Sequence, residues 1–299
     1  MQTVDFLVIG ANGLVGRRVL SLLKAKGESA SGTYNRRAEG GLIPFDITDG
    51  ASARRIFKDL APRRVYLCAN LPGGVDYCEK NPAQARRFYY DATVNIGNLC
   101  GESGASLIFI STDYVFDGSK GPYKEEDGKN PLNLYGRLKL EAEEWIRKNM
   151  EKHIIARTTN VFGWDPQTVT PNYVMNLYMT LRSSKLFNAP SYLWGNPTYA
   201  GDLAAALIEL SDCNASGIFH VVGGSFVNRY EWALEACRAL ELDAGLIKEV
   251  KDPPQNAVPR PLKSWLGTDK FRGSFKTVLH GMKEGLALMK EESDKDDGR

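Results

Sequence analysis

Along this chain, short apolar runs alternate with segments whose apolar residues recur every three or four positions. Val4 to Ile9, a short segment ending at Tyr34, Leu42 to Phe45, Val65 to Cys68, Ser106 to Ile110 and Ile154 to Ala156 read as strands. The spacing of Leu14, Val15, Val19, Leu20 and Leu23 reads as a helix between the first two. Another helical stretch opens at Asn81-Pro82, with Asn as cap and Pro in the first turn, and stops near Gly104. This rhythm predicts an α/β fold: a Rossmann-type, doubly wound parallel sheet covered by helices on both faces, with ligands at the carboxyl ends of its strands. After about Gly163 the rhythm breaks. An irregular and then helical segment carries Tyr173, Tyr178, Phe187, Tyr192 and Trp194, and Pro253-Pro254 and Pro259-Arg260-Pro261 mark extended loops. The expected division is a dinucleotide-binding domain over 1–163 and a smaller C-terminal substrate-binding lobe over 164–289. A segment near 196–215 is expected to return to the first domain. Residues 290–299 are almost all charged and are expected to form a frayed tail.

Composition narrows the class. A chain of 299 residues can bury a substantial core, and a net charge of +2 gives no case for a nucleic-acid partner. The paired arginines are scattered rather than gathered into a tract. Five cysteines form no CxxC and three histidines lie far apart, so no metal site is expected. No apolar run approaches membrane length, and the chain enters a strand without a basic leader. A cytoplasmic enzyme acting on a small molecule is the expectation, with room for a homodimer.

The first strand hands over to the first helix at Gly10-Ala11-Asn12-Gly13-Leu14-Val15-Gly16. Such a junction suits a dinucleotide pyrophosphate, because glycine lets the backbone approach closely and the free N–H groups at the helix start face the negative charge. More than a hundred residues on, Tyr135 and Lys139 stand four apart on a predicted helix and therefore share a face. Each motif alone is weak. Their order raises the weight: a glycine turn, alternating strands and helices, Ser111-Thr112-Asp113-Tyr114, then the Tyr/Lys helix.

These residues resemble the extended short-chain dehydrogenase/reductases, and within them most closely the dTDP-4-dehydrorhamnose reductase family. The resemblance spans nearly the whole chain. Its most specific part is Ile110-Ser111-Thr112-Asp113-Tyr114-Val115-Phe116-Asp117-Gly118 with Pro131-Leu132-Asn133-Leu134-Tyr135-Gly136, supported by Pro197 to Ala204, Gly217 to His220 and Pro259-Arg260-Pro261. It implies a catalytic set of Thr112, Tyr135 and Lys139. In it the ammonium is expected to lower the phenol pKa and hold the nicotinamide ribose, while Tyr135 gives the proton. It implies cofactor contacts at Gly10, Asn12, Gly13, Leu14, Val15 and Gly16, at Asn35, Arg36 and Arg37 after the second strand, at Asp46-Ile47, and at Cys68-Ala69-Asn70.

Where an NAD site usually carries an acid, this chain has Tyr34-Asn35-Arg36-Arg37, which favours NADP(H) over NAD(H). The implied activity is an NADPH-dependent reduction of a nucleotide-linked 4-keto sugar or a related carbonyl compound. Cys68-Ala69-Asn70-Leu71-Pro72 and Asn160 depart from the family's substrate-side residues. The Cys-Ala opening and Tyr-Asn-Arg-Arg also resemble the non-catalytic regulatory β subunit of methionine adenosyltransferase. A nucleotide-sugar epimerase or dehydratase is a further alternative, although Tyr114 stands where dehydratases usually carry a second acid.

Overall fold

The computed structural model describes residues 3–168 and 170–297. Its centre is a seven-stranded parallel sheet. Strands β1 (Phe6–Ile9), β2 (Ala30–Tyr34), β3 (Ile43–Pro44), β4 (Arg64–Leu67), β5 (Ser106–Thr112) and β6 (His153–Thr158) are joined by the strand Gly217–His220. The spatial order is Gly217–His220, β6, β5, β4, β1, β2, β3. The chain therefore winds outward one way from β1 to β3 and the other way from β4 onward, leaving a switch point between β1 and β4, where Ile9 pairs with Leu67. Every expected strand of the first domain is present. Gly217–His220 pairs in register with Ile154 to Arg157 and extends the sheet beyond the first 163 residues.

Strand alternation sorts the core into two layers. Leu7, Ile9, Val65, Leu67, Leu107 and Phe109 face one side, and Phe6, Val8, Tyr66 and Ile108 the other. Helices α2 (Gly50–Leu60), α5 (Ala92–Ser103) and α6 (Leu134–Asn149) cover the first side with Ile56, Phe57, Ile96, Leu99 and Ile146. Helix α1 (Leu14–Ala25) and the helix Ala200–Asp212 cover the second with Val19, Leu20, Leu23, Leu203, Leu207 and Leu210. The short helices α3 (Gly74–Lys80) and α4 (Pro82–Arg86) lead into a π-helical turn, Arg87–Asp91, and then α5. The single helix expected from Asn81 to Gly104 is thus interrupted by one wide turn.

The second lobe packs helices Tyr173–Arg182 and Arg229–Leu240 with the last helix, Met282–Asp297, around Phe162, Trp232 and Phe187. This last helix corrects the expectation of a frayed tail. Met282, Leu286, Met289 and Ser293 are buried at helical spacing, so the charges occupy only the outer faces. Glu292 accepts hydrogen bonds from Arg18 (2.6 Å), Tyr199 (2.8 Å) and the Trp164 amide (3.2 Å). Residues 298–299 lie outside the described residues. No described helix is long and apolar enough to cross a membrane.

Candidate active site

The glycine turn sits at the switch point. Gly10 has φ +82°, and a Cβ there would stand 2.8 Å from the Ala69 Cα, so the turn lies directly against the residues after β4. A Cβ at Gly16 would stand 2.2 Å from the Gly10 carbonyl oxygen, which fixes how closely α1 seats on the turn. Gly13 differs. It is exposed, and its nearest neighbour to a Cβ is the Gly10 oxygen at an ordinary 3.4 Å. The protein's own packing leaves Gly13 free to carry a side chain. Gly13 caps α1 without a side-chain hydrogen bond, and the first turn carries no acid, so the amides of Leu14, Val15 and Gly16 are offered outward. This turn fits an anionic pyrophosphate.

Around it stand the other residues named from the sequence. Asn12 donates to the Arg37 carbonyl at 3.1 Å, tying the turn to the loop after β2. Asn35 and Arg36 are exposed there, and no described residue pairs with Arg36. Arg37 is committed elsewhere, its guanidinium donating to the backbone oxygen and, at 2.5 Å, the side-chain oxygen of Gln167. The two arginines are therefore not equivalent. Asp46 accepts from the Thr48 amide and hydroxyl, while buried Ile47 lines a small pocket with Ala69, Tyr89, Phe109 and Lys139. Asn70 accepts from the Tyr89 hydroxyl at 2.8 Å, and burial raises the Cys68 thiol to about 12, so it stays protonated.

At the end of β5, Thr112 donates to Asp113 (3.1 Å) and accepts from the Tyr114 amide (3.2 Å). Asn133 caps α6 by accepting from the Gly136 amide and holds the Pro259 carbonyl of the second lobe. A Cβ at Gly136 would meet the Tyr114 carbonyl at 2.3 Å, so glycine permits the helix start to lie against the Thr112 turn. That seating brings Tyr135 to Thr112. The Tyr135 ring is packed edge-on between Tyr89 and Tyr114, and Lys139, buried below, donates to the Ile110 carbonyl at 2.7 Å.

The electrostatics depart from expectation. Burial pushes the Tyr135 phenol well above its ordinary value, with hydrogen bonding to Thr112 opposing it and Asp113 and Tyr114 reinforcing it. The Lys139 ammonium is directed to the Ile110 backbone carbonyl. Burial lowers Lys139 itself to about 8 while Glu143 supports its charge. Asp113 is likewise raised by burial.

Sequence reasoning missed several residues here. Asp113 lies buried beside Thr112, and Tyr89 projects from the π-helical turn. Arg260 donates to Asp76 at 2.7 Å and partly opposes the rise that burial and Asp113 impose on the Tyr114 phenol. It also lines, with Asp117, Leu132, Tyr192, Pro254 and Leu262, a cleft of about 480 Å³ at the second lobe. Spacing alone held a clue to Glu143, which continues the Tyr135/Lys139 face one turn on.

Comparison with known proteins agrees with this architecture. The family described as the RmlD substrate binding domain matches residues 4–294. Methionine adenosyltransferase 2 subunit beta of Xenopus tropicalis is 30% identical over 271 residues, 89% of this chain and 80% of that protein. The probable low-salt glycan biosynthesis reductase Agl14 of Haloferax volcanii is 29% identical over 94% of this chain and 96% of its own length. Among solved structures, a hypothetical dTDP-4-dehydrorhamnose reductase from Sulfolobus tokodaii superposes with a TM-score of 0.83 at 29% identity, over 95% of this chain and 99% of that one.

Proposed function

The chain belongs to the RmlD substrate-binding-domain family and has the build of an NAD(P)-dependent oxidoreductase, and on that premise we propose that it reduces the carbonyl group of a nucleotide-linked 4-keto sugar. The observation that carries this reading is the meeting of the α6 face with the end of β5, with Tyr135 at Thr112 and Lys139 at the Ile110 carbonyl. The catalytic roles are assigned on that meeting.

The amides of Leu14, Val15 and Gly16 would hold the pyrophosphate, with Ile47, Ala69, Asn70 and Lys139 lining the site. When bound, the nicotinamide supplies the hydride. Tyr135 holds a proton at its phenol oxygen throughout the neutral range, because burial favours the neutral form. It is therefore an acid in waiting, and it gives that proton to the substrate oxygen as negative charge develops there. Thr112 turns its hydroxyl from Asp113 to the same oxygen and shares the charge. Lys139 keeps its ammonium below about pH 8 and would serve the ribose hydroxyls. Arg36, exposed and unpaired among the described residues, favours the 2′-phosphate of NADPH. The 480 Å³ cleft with Arg260 at its edge suits an anionic nucleotide sugar.

The 30% identity to an adenosyltransferase subunit favours one second reading, an NADP-binding subunit that serves another enzyme. The deciding assay follows NADPH oxidation against nucleotide-linked keto sugars and simple ketones. Turnover with a keto sugar is expected. Binding of NADPH without reduction of any compound, together with altered activity of an added methionine adenosyltransferase, would replace the reductase reading with the second.

A further inference from the structure

The side of α6 that carries Tyr135 and Lys139 continues to Glu143, and all three reach the last three residues of β5. Tyr135 meets Thr112, and Lys139 donates to the Ile110 carbonyl. Glu143 accepts from the Ser111 hydroxyl at 2.5 Å. The carboxylate is also gripped by Arg157 of β6, through Nε at 3.0 Å and Nη2 at 2.6 Å. Arg157 and Glu143 are 0% and 1% exposed, so both charges depend on one another. Behind them, Arg157 donates to the Glu125 carbonyl at 3.0 Å, Glu125 accepts from the His220 amide, and the His220 ring meets the Gly267 carbonyl. The network joins α6, β5, β6, the sheet-edge strand and the second lobe.

A buried ion pair is a poor source of net stability, and apolar residues would pack this site at less cost. What the pair provides is register. A helix that slid along the strand by one residue would rise 1.5 Å and turn each side chain by about 100°, separating Tyr135 from Thr112 and Lys139 from Ile110. An apolar contact tolerates such sliding. A doubly held carboxylate does not.

We propose that Glu143 is a positioning residue: held by Ser111 and Arg157, it locks the register of α6 along β5 so that Tyr135 and Lys139 stand at the reacting centre. The proposal rests on the reading of Lys139 as a cofactor-binding group. Lys139 faces Cys68 from the loop after β4, Cys78 from α3 and Glu143 from its own helix, and Glu143 faces Arg157 and Lys129. His220, held down to about 3 by burial and Arg157, stays neutral across the assay range.

The test is a double-mutant cycle on NADPH affinity, measured by calorimetry on the full chain. Ser111→Ala removes the hold of β5 on Glu143, leaving Arg157 of β6 in place, without changing charge. It is expected to weaken NADPH binding about fivefold or more in the wild-type background and to have little effect beside Lys139→Met, since the latch then positions nothing. Equal losses in the two backgrounds would overturn the proposal, because a merely structural role is additive. Glu143→Gln is expected in addition to lower the pH at which NADPH binding falls on the alkaline side, because Glu143 supports the Lys139 charge. An unmoved limb in a folded variant would likewise count against it. If Glu143→Gln does not fold, the Ser111 cycle decides alone. Should wild type bind no NADPH, the cofactor reading fails, and the same cycle read as urea-unfolding stability decides the latch by the same criterion of additivity.

Discussion

Lys139→Met gives a stability measurement whose sign follows from burial alone. Lys139 is 6% exposed, and its pKa falls from 10.5 to about 8. Burial therefore taxes the charged form. In the unfolded chain the amine regains its ordinary pKa, so between about pH 8 and 10.5 the unfolded state binds more protons than the folded one, and stability rises with pH. The penalty is fully present below pH 8 and is lost as the folded amine deprotonates. A fall of about 2.5 in pKa corresponds to about 3 kcal/mol. Methionine has no such term, and all other groups titrate in both proteins. Near pH 7 the variant should lie within about 2 kcal/mol of wild type, since relief of the buried charge opposes loss of the bond to the Ile110 carbonyl. From pH 8 to 10.5, wild type should then gain on the variant by up to about 3 kcal/mol. Urea unfolding of both proteins at four pH values, followed by tryptophan fluorescence, measures the difference directly. A difference that stays flat across that window, or narrows with the opposite sign, would refute the assignment of Lys139 as a buried, charge-strained group.

Other expectations follow from the same geometry. Tyr135→Phe keeps the ring between Tyr89 and Tyr114 but removes the proton, so turnover in the NADPH-oxidation assay should fall at least ~10²-fold with binding retained. Arg36→Ala should weaken NADPH by about 1.5–3 kcal/mol and leave NADH unchanged. Arg37→Ala should affect both cofactors alike, because Arg37 is spent on Gln167; calorimetry with the two cofactors separates the cases. Gly13→Asp should fold normally yet lose cofactor binding, whereas Gly16→Val should lower the melting temperature, its Cβ lying 2.2 Å from the Gly10 oxygen.

Local rules carried the first half of the fold into view. The strands of the central sheet are short and apolar on both faces, so β1, β4 and β5 stood out in the chain, and the glycine turn marked where β1 ends. The Tyr/Lys helix was legible because Tyr135 and Lys139 stand about one turn apart on one face, while its cap, Asn133, came into view only with the structure. What stayed hidden depends on partners far away in sequence. Arg36 and Arg37 read as a matched pair until the loop carrying Gln167 takes one of them. The ammonium at position 139 was expected to serve the phenol, but nothing in the spacing reveals that the Ile110 carbonyl lies closer to hand. Charge also misled at the C-terminus, where Met289 and Ser293 seat a helix whose composition looks like a solvated tail.

That last helix has a consequence for the newborn chain. Arg18 stands in the second turn of α1, yet its carboxylate partner, Glu292, is made 274 residues later. The strand Gly217–His220 that covers the outer edge of β6 also comes late. At roughly 5–20 residues per second, a growing chain holds its glycine turn and most of its sheet for about seven seconds or more before Glu292 is made. During that interval the guanidinium has the Leu14 and Trp164 carbonyls but no carboxylate, and until Gly217–His220 follows, the open edge of β6 is a surface for mispairing. A chain that stops short of Glu292 would leave α1 without this carboxylate clasp, so the seating of the first helix depends on Met282–Asp297.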